Sequence, residues 1–168
     1  PSINAVIEAI TEPGDKVIVQ PPVYFPFFSS VEKSGRELVL NPLYLDNNRY
    51  YIDFEHLEQC AQQGAKTLLF CSPHNPVGRV WTQEELAQLL ELAERYQMTI
   101  ISDEIHADLI FPEQQHIALA TLTQTNNVIT TLAPSKTFNI AGMGLSSLIV
   151  SDKQQRKAIK AVFEQWHI

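Results

Sequence analysis

The chain has 168 residues, enough for one domain with a genuine core, and its 45% hydrophobic and 18% charged content is that of a globular protein. No apolar run approaches the roughly 20 residues that a membrane helix needs. A formal charge of -7 without a compensating basic stripe lacks the electrostatic footprint of a nucleic-acid binder.

In chain order, Ile3, Val6, Ile7 and Ile10 have helical spacing, and Glu12-Pro13-Gly14-Asp15 supplies a stop and a turn. The β-branched run Val17-Ile18-Val19 predicts a strand over 16–20, closed by Pro21-Pro22. A helix is expected over 25–34, broken by Gly35, and a second strand over 36–40. Asp53 can cap a helix to about Gln63, and Gly64 then gives way to the buried-type strand Thr67-Leu68-Leu69-Phe70-Cys71. Thr82 with Glu85 forms a capping box opening a helix whose Leu86, Leu89, Leu90 and Ala93 share one face. Further strands are predicted over 98–102, 128–132 and around 145–150, and a helix over 155–166.

Strands alternating with helices predict an α/β fold, a mostly parallel sheet with helices on both faces. Cys60 and Cys71 are too few for a disulfide framework and lack the paired spacing of a zinc site, which fits a reducing, cytoplasmic setting. The start, Pro1-Ser2-Ile3-Asn4, carries no initiator methionine and no targeting signal. Both it and the end at Ile168 read as cut from something longer, so residues 1–168 are expected to be an incomplete domain.

Ligands of an open parallel sheet sit beyond the carboxyl ends of its strands. Three chemically loaded residues fall there: Asn75 after the strand ending at Cys71, Asp103 directly after Ser102, and Lys136 four residues after Leu132. An amide, a carboxylate and an amine on one edge are what pyridoxal phosphate (PLP) needs. The amine forms a Schiff base, the carboxylate keeps the pyridine nitrogen protonated, and a donor bonds the phenolic oxygen. No G-x-G-x-x-G follows the first strand and no G-x-x-x-x-G-K-[ST] occurs, so a nucleotide cofactor loses its main support.

Three motifs, Ser72-Pro73-His74-Asn75-Pro76-Val77-Gly78, Ser102-Asp103-Glu104-Ile105-His106-Ala107-Asp108 and Ala133-Pro134-Ser135-Lys136-Thr137-Phe138-Asn139-Ile140-Ala141-Gly142, occur in that order. Here the chain resembles the fold-type I PLP enzymes of the class I/II aminotransferase superfamily, over essentially its whole length. The resemblance implies Lys136 as the Schiff-base lysine, Asp103 on the pyridine nitrogen, Asn75 on the phenolic oxygen, Ser135 near the phosphate and Tyr24 stacked on the ring. Aminotransferases commonly carry Tyr where this chain has His106, and a phosphate-binding Arg where it has Gly144. Both departures look like the MalY/PatB-type cystathionine β-lyases, with His106 a further cofactor contact. That branch implies β-elimination from a sulfur-bearing amino acid, giving pyruvate, ammonia and a thiol, in a full-length homodimer; transamination is the alternative.

Blander readings stand beside these. Asn75 could form an ordinary Asx turn, His106 could be a structural histidine, and Tyr24 could be core. Asp103, Glu104, His106 and Asp108 could be metal ligands of a hydrolase, although strand alternation would send Asp103 and His106 to opposite faces. No metal is expected. Cys60, Cys71 and Trp81 read as core.

Overall fold

Each β-branched or leucine-rich run between turn signals becomes a strand of one sheet. The computed structural model describes residues 1–167; Ile168 lies outside the described residues. The sheet contains β1 (Lys16–Val19), β2 (Glu37–Leu40), β5 (Thr67–Cys71), β6 (Thr99–Asp103), β7 (Val128–Leu132) and β8 (Ser147–Val150). A separate hairpin pairs β3 (Tyr44–Asp46) with β4 (Arg49–Tyr51). The sheet order is β2-β1-β5-β6-β7-β8, with every pair parallel except β7 with β8.

Among the described residues five α-helices cover it: α1 (Ser2–Ile10), α2 (Pro26–Glu32), α3 (Phe54–Gln62), α4 (Gln83–Arg95) and α5 (Lys153–Gln165). The chain moves one way across the sheet from β1 to β2 and the other way from β5 to β6. Right-handed crossovers therefore put α2 and α4 on opposite faces. Leu57 and Cys60 of α3 with Leu86, Leu89 and Ala93 of α4 pack with Ile18, Leu68, Phe70 and Ile100. On the other face, Val6 and Ile7 of α1, Phe27 and Val31 of α2 and Ile159 of α5 pack with Val17, Val19, Leu69, Ile101 and Ile129. Successive strand residues thus alternate between two cores, as the pleat requires.

The predicted caps form. The Asp53 side chain accepts from the amide of His56 at 2.9 Å, and Thr82 and Glu85 cap each other reciprocally. The hairpin was not among the predicted elements. Its turn residues Asn47 and Asn48 have φ of 46° and 61°, the left-handed region that asparagine tolerates, as a two-residue hairpin turn requires. Tyr44, Leu45 and Asp46 are all exposed, so β3 shows no buried-face alternation by which a strand is recognised.

The loop after β5 is built on buried polar groups. The indole nitrogen of Trp81 donates to the carbonyl of Cys71 at 2.9 Å, and the Arg79 guanidinium lies 4.5 Å from the Trp81 ring centre. Arg79 also makes a two-pronged bond to Glu85, at 2.9 and 2.6 Å, and donates to the Tyr50 carbonyl, joining the loop to α4 and the hairpin. His74 is buried edge-on against Trp81, with Nε2 3.0 Å from the carbonyl of Pro22. Burial pulls its pKa down to about 4, so the ring is neutral at pH 7 and Nε2 is the donor.

A histidine whose folded pKa is depressed contributes stability that is full above its unfolded pKa, near 6.5, and is lost as pH falls toward 4. About 2–3 kcal/mol should disappear between pH 7 and pH 4.5. Urea denaturation of the wild type and of His74→Gln at both pH values checks this. The variant should lose that much less stability on acidification, and parallel losses in the two proteins would disprove it.

Candidate active site

Asp103 ends an interior strand, flanked by Cys71 of β5 and Thr131 of β7 in register. The pleat turns Asp103 toward the face covered by α1 and α2 and Glu104 toward the opposite one. The Thr131 hydroxyl donates to Asp103 Oδ1 at 2.9 Å. Burial pushes the Asp103 carboxyl above the usual carboxylate range. The bonds from Thr131 and from the amide of Ile105 oppose that rise, and the charge of Glu104 adds to it.

Tyr24, Asp103, Thr131, Ser135 and Lys136 line one cleft of about 530 Å³. Lys136 sits in a run of tight turns after β7, with the amide of Phe138 bonded to Pro134 at 2.9 Å and that of Ile140 to Ser135 at 3.0 Å. The Thr137 hydroxyl donates to Asp108 at 2.9 Å and so joins this loop to the segment after β6. Tyr24 is 46% exposed, which removes the core reading, and its ring leans edge-on against Phe27 at 5.9 Å. Gly144, also on the cleft wall, has φ of 64°, a conformation that would strain an arginine there.

Asn75 and His106 line a neighbouring cleft of about 680 Å³, between the 73–80 loop, the hairpin and residues 106–114. The six predicted site residues thus share one edge of the sheet but divide between two adjoining hollows. Their nearness is registered in His106, whose pKa is lowered first by burial and then by the charge of Lys136. Among the described residues the side-chain amide of Asn75 makes no hydrogen bond, so no Asx turn engages it; its backbone amide donates to Cys71 Sγ at 3.4 Å. Burial pushes the Cys71 thiol up to about 12, and the protonated thiol donates to the carbonyl of Pro73 at 3.3 Å.

The acidic cluster considered for a metal is dispersed. Asp103 bonds Thr131 and Asp108 bonds Thr137, while Glu104 turns into the opposite core. Among the described residues no group of three His, Cys, Asp or Glu side chains is gathered to hold a metal ion. Glu104 instead braces the fold. It accepts from the Ser102 hydroxyl at 2.8 Å and the Leu119 amide at 3.1 Å, and pairs with His116 at 2.9 Å. These bonds fasten the segment that leaves β6 back onto the sheet. Glu104 was visible in the sequence only as one more acid, and Thr131 gave no signal, because its partner depends on strand register.

The family model for aminotransferase class I and II matches residues 2–166. The chain belongs to the class I and II aminotransferase family. Within it, the chain is 43% identical over 167 residues to cystathionine beta-lyase PatB of Bacillus subtilis, an alignment covering 98% of this chain and 43% of that protein. Cystalysin from Treponema denticola, whose crystal structure contains a pyridoxal 5'-phosphate cofactor, superposes with a TM-score of 0.95 at 39% identity, over 98% of this chain and 43% of its own. An aspartate aminotransferase from Rhodobacter sphaeroides superposes at 0.88 with 30% identity, over 98% of this chain and 43% of its own. The chain therefore spans less than half the length of these relatives.

Removing the Glu104 carboxylate would leave the buried Leu119 amide and the half-buried His116 ring without their partner. Glu104→Ala should cost about 2–4 kcal/mol. Urea denaturation measures the loss, and hydrogen exchange should show the Leu119 amide opening before the strand amides. A loss below about 1 kcal/mol would rule out the fastening role.

Proposed function

We propose that this chain holds pyridoxal phosphate on Lys136 and contributes the cofactor-binding part of a carbon-sulfur β-lyase. The observation that carries the reading is the cleft that has the Lys136 amine and the buried Asp103 carboxylate in its walls. A carboxylate so deeply desolvated gains from a cation set against it, and a protonated pyridine nitrogen is such a cation. The likeness to named cystathionine beta-lyases supports the choice of reaction.

When bound, the cofactor supplies a carbonyl carbon that takes an amino group and a ring that withdraws electrons from the substrate's Cα. The protein's residues do the rest. Lys136 Nζ anchors the cofactor and, once displaced by the substrate amine, removes the proton from Cα as general base. Asp103 holds the proton on the ring nitrogen. Asn75 would bond the phenolic oxygen, Ser135 the phosphate, Tyr24 would stack on the ring, and His106 would add a further contact. Loss of the Cβ thiolate from a cystathionine-type amino acid, with a proton taken up to give the thiol, leaves an unsaturated three-carbon amine, and its hydrolysis by one water gives pyruvate and ammonia. The activity belongs to the full-length protein as a homodimer, and the exposed Phe138, Met143 and Leu145 beside the lysine loop offer apolar surface for such an assembly to cover.

Transamination stays in view because the matched family and the Rhodobacter structure carry that name. Full-length protein incubated with cystathionine separates the two: a lyase makes pyruvate without a keto acid, and a transaminase requires one. Borohydride reduction with the cofactor bound should label Lys136, and label on Lys66 or Lys153 instead would remove the site assignment. Asp103→Asn should retain the cofactor but lose turnover at least about 100-fold.

A further inference from the structure

We propose that Thr131 is a positioning residue: its hydroxyl, fixed opposite Asp103 by the pairing of β6 with β7, holds the carboxylate so that its other oxygen serves the cofactor's ring nitrogen. The inference rests on the reading of the Lys136 cleft as a pyridoxal phosphate site.

Three observations support it. Asp103 and Thr131 are direct partners in the parallel ladder, so both side chains leave the sheet on the same face. Thr131 is 4% exposed, and its Oγ1 donates to Asp103 Oδ1 at 2.9 Å. No side chain among the described residues bonds Asp103 Oδ2, the carboxylate's further bond coming from the main-chain amide of Ile105, and both residues line the cleft that contains Lys136. Main-chain bonds brace the arrangement on both sides: the amide of Ser72 donates to the Asp103 carbonyl at 3.0 Å, and that of Glu104 to the Thr131 carbonyl at 2.9 Å.

The chemistry follows from the donor inventory. A threonine hydroxyl has one proton, and here it is committed to Oδ1. That bond favours the ionised carboxylate against the desolvation it suffers, and it prevents Asp103 from rotating its charge away from the cleft. Valine has the same shape and strand preference but no proton to give. Thr131→Val therefore removes the bond while leaving the packing.

The test uses full-length wild type, Thr131→Val, Thr131→Ser and Asp103→Asn, each titrated with pyridoxal phosphate. The ring-nitrogen chemical shift is read with ¹⁵N-labelled cofactor. Thr131→Val should weaken cofactor affinity about tenfold or more, since hydrogen bonds to charged groups are the strong ones. It should also move the nitrogen shift toward the unprotonated value, and Thr131→Ser should restore both. In an Asp103→Asn background, Thr131→Val should change affinity less than about twofold, because the bond acts through the carboxylate. Stability without cofactor is measured alongside; if valine prevents folding, Thr131→Ala takes its place.

A Thr131→Val protein that binds within about twofold of wild type with an unmoved nitrogen shift would overturn the proposal, as would the full effect persisting beside Asp103→Asn. A wild type that forms no adduct on Lys136 would instead bring down the underlying site reading, and this inference with it.

Discussion

A carboxylate at the end of an interior strand has been taken out of water, and the surrounding structure has to compensate for that. Asp103 lies between β5 and β7, where main-chain ladders determine which neighbours it meets. Those ladders bring it the Thr131 hydroxyl on one side and set it beside Cys71 on the other, and the charge of Glu104 acts against it from the next residue. Because register rather than loop conformation sets these partners, the acidic wall of the cleft is as rigid as the sheet. The turns carrying Asn75, His106 and Lys136 are arranged around it.

Those turns are secured from outside the cleft. Trp81 and Arg79 bind the Asn75 loop to α4 and to the hairpin, and His74 adds a neutral ring buried against the same indole. Glu104 secures the segment after β6 through His116 and the Leu119 amide, on the far face of the sheet from the cleft. The two adjacent acids Asp103 and Glu104 thus divide their roles by the strand's pleat: one faces the cleft and the other anchors the exit of the strand.

Much of this was legible in the sequence because its signals are local. Capping at Asp53 and Thr82, the apolar face of α4 and the buried run of β5 depend on neighbours within a few residues. The alternation of strands and helices was enough to anticipate a parallel sheet with two covered faces. The positions of Asn75, Asp103 and Lys136 at strand ends followed from the same reading. What was not legible depends on partners distant in sequence. The β3–β4 hairpin buries no face, the Thr131 bond needs the register of β6 with β7, and the Glu104 pair spans to His116. The division of the six residues between two hollows is likewise a property of loops in space, not of spacing along the chain.

The reversal at β8 bears on how such a site can diversify. Leu132 and Ser147 face each other across the antiparallel pairing of β7 with β8, so residues 133–146, with Lys136 among them, form a loop whose two ends are pinned at a single rung. Lengthening a loop closed in this way is a mild perturbation: doubling its length costs about 0.6 kcal/mol of closure entropy. Insertions could therefore accumulate there over evolutionary time, reshaping the surroundings of the lysine while the ladders that hold the opposing carboxylate stay as they are.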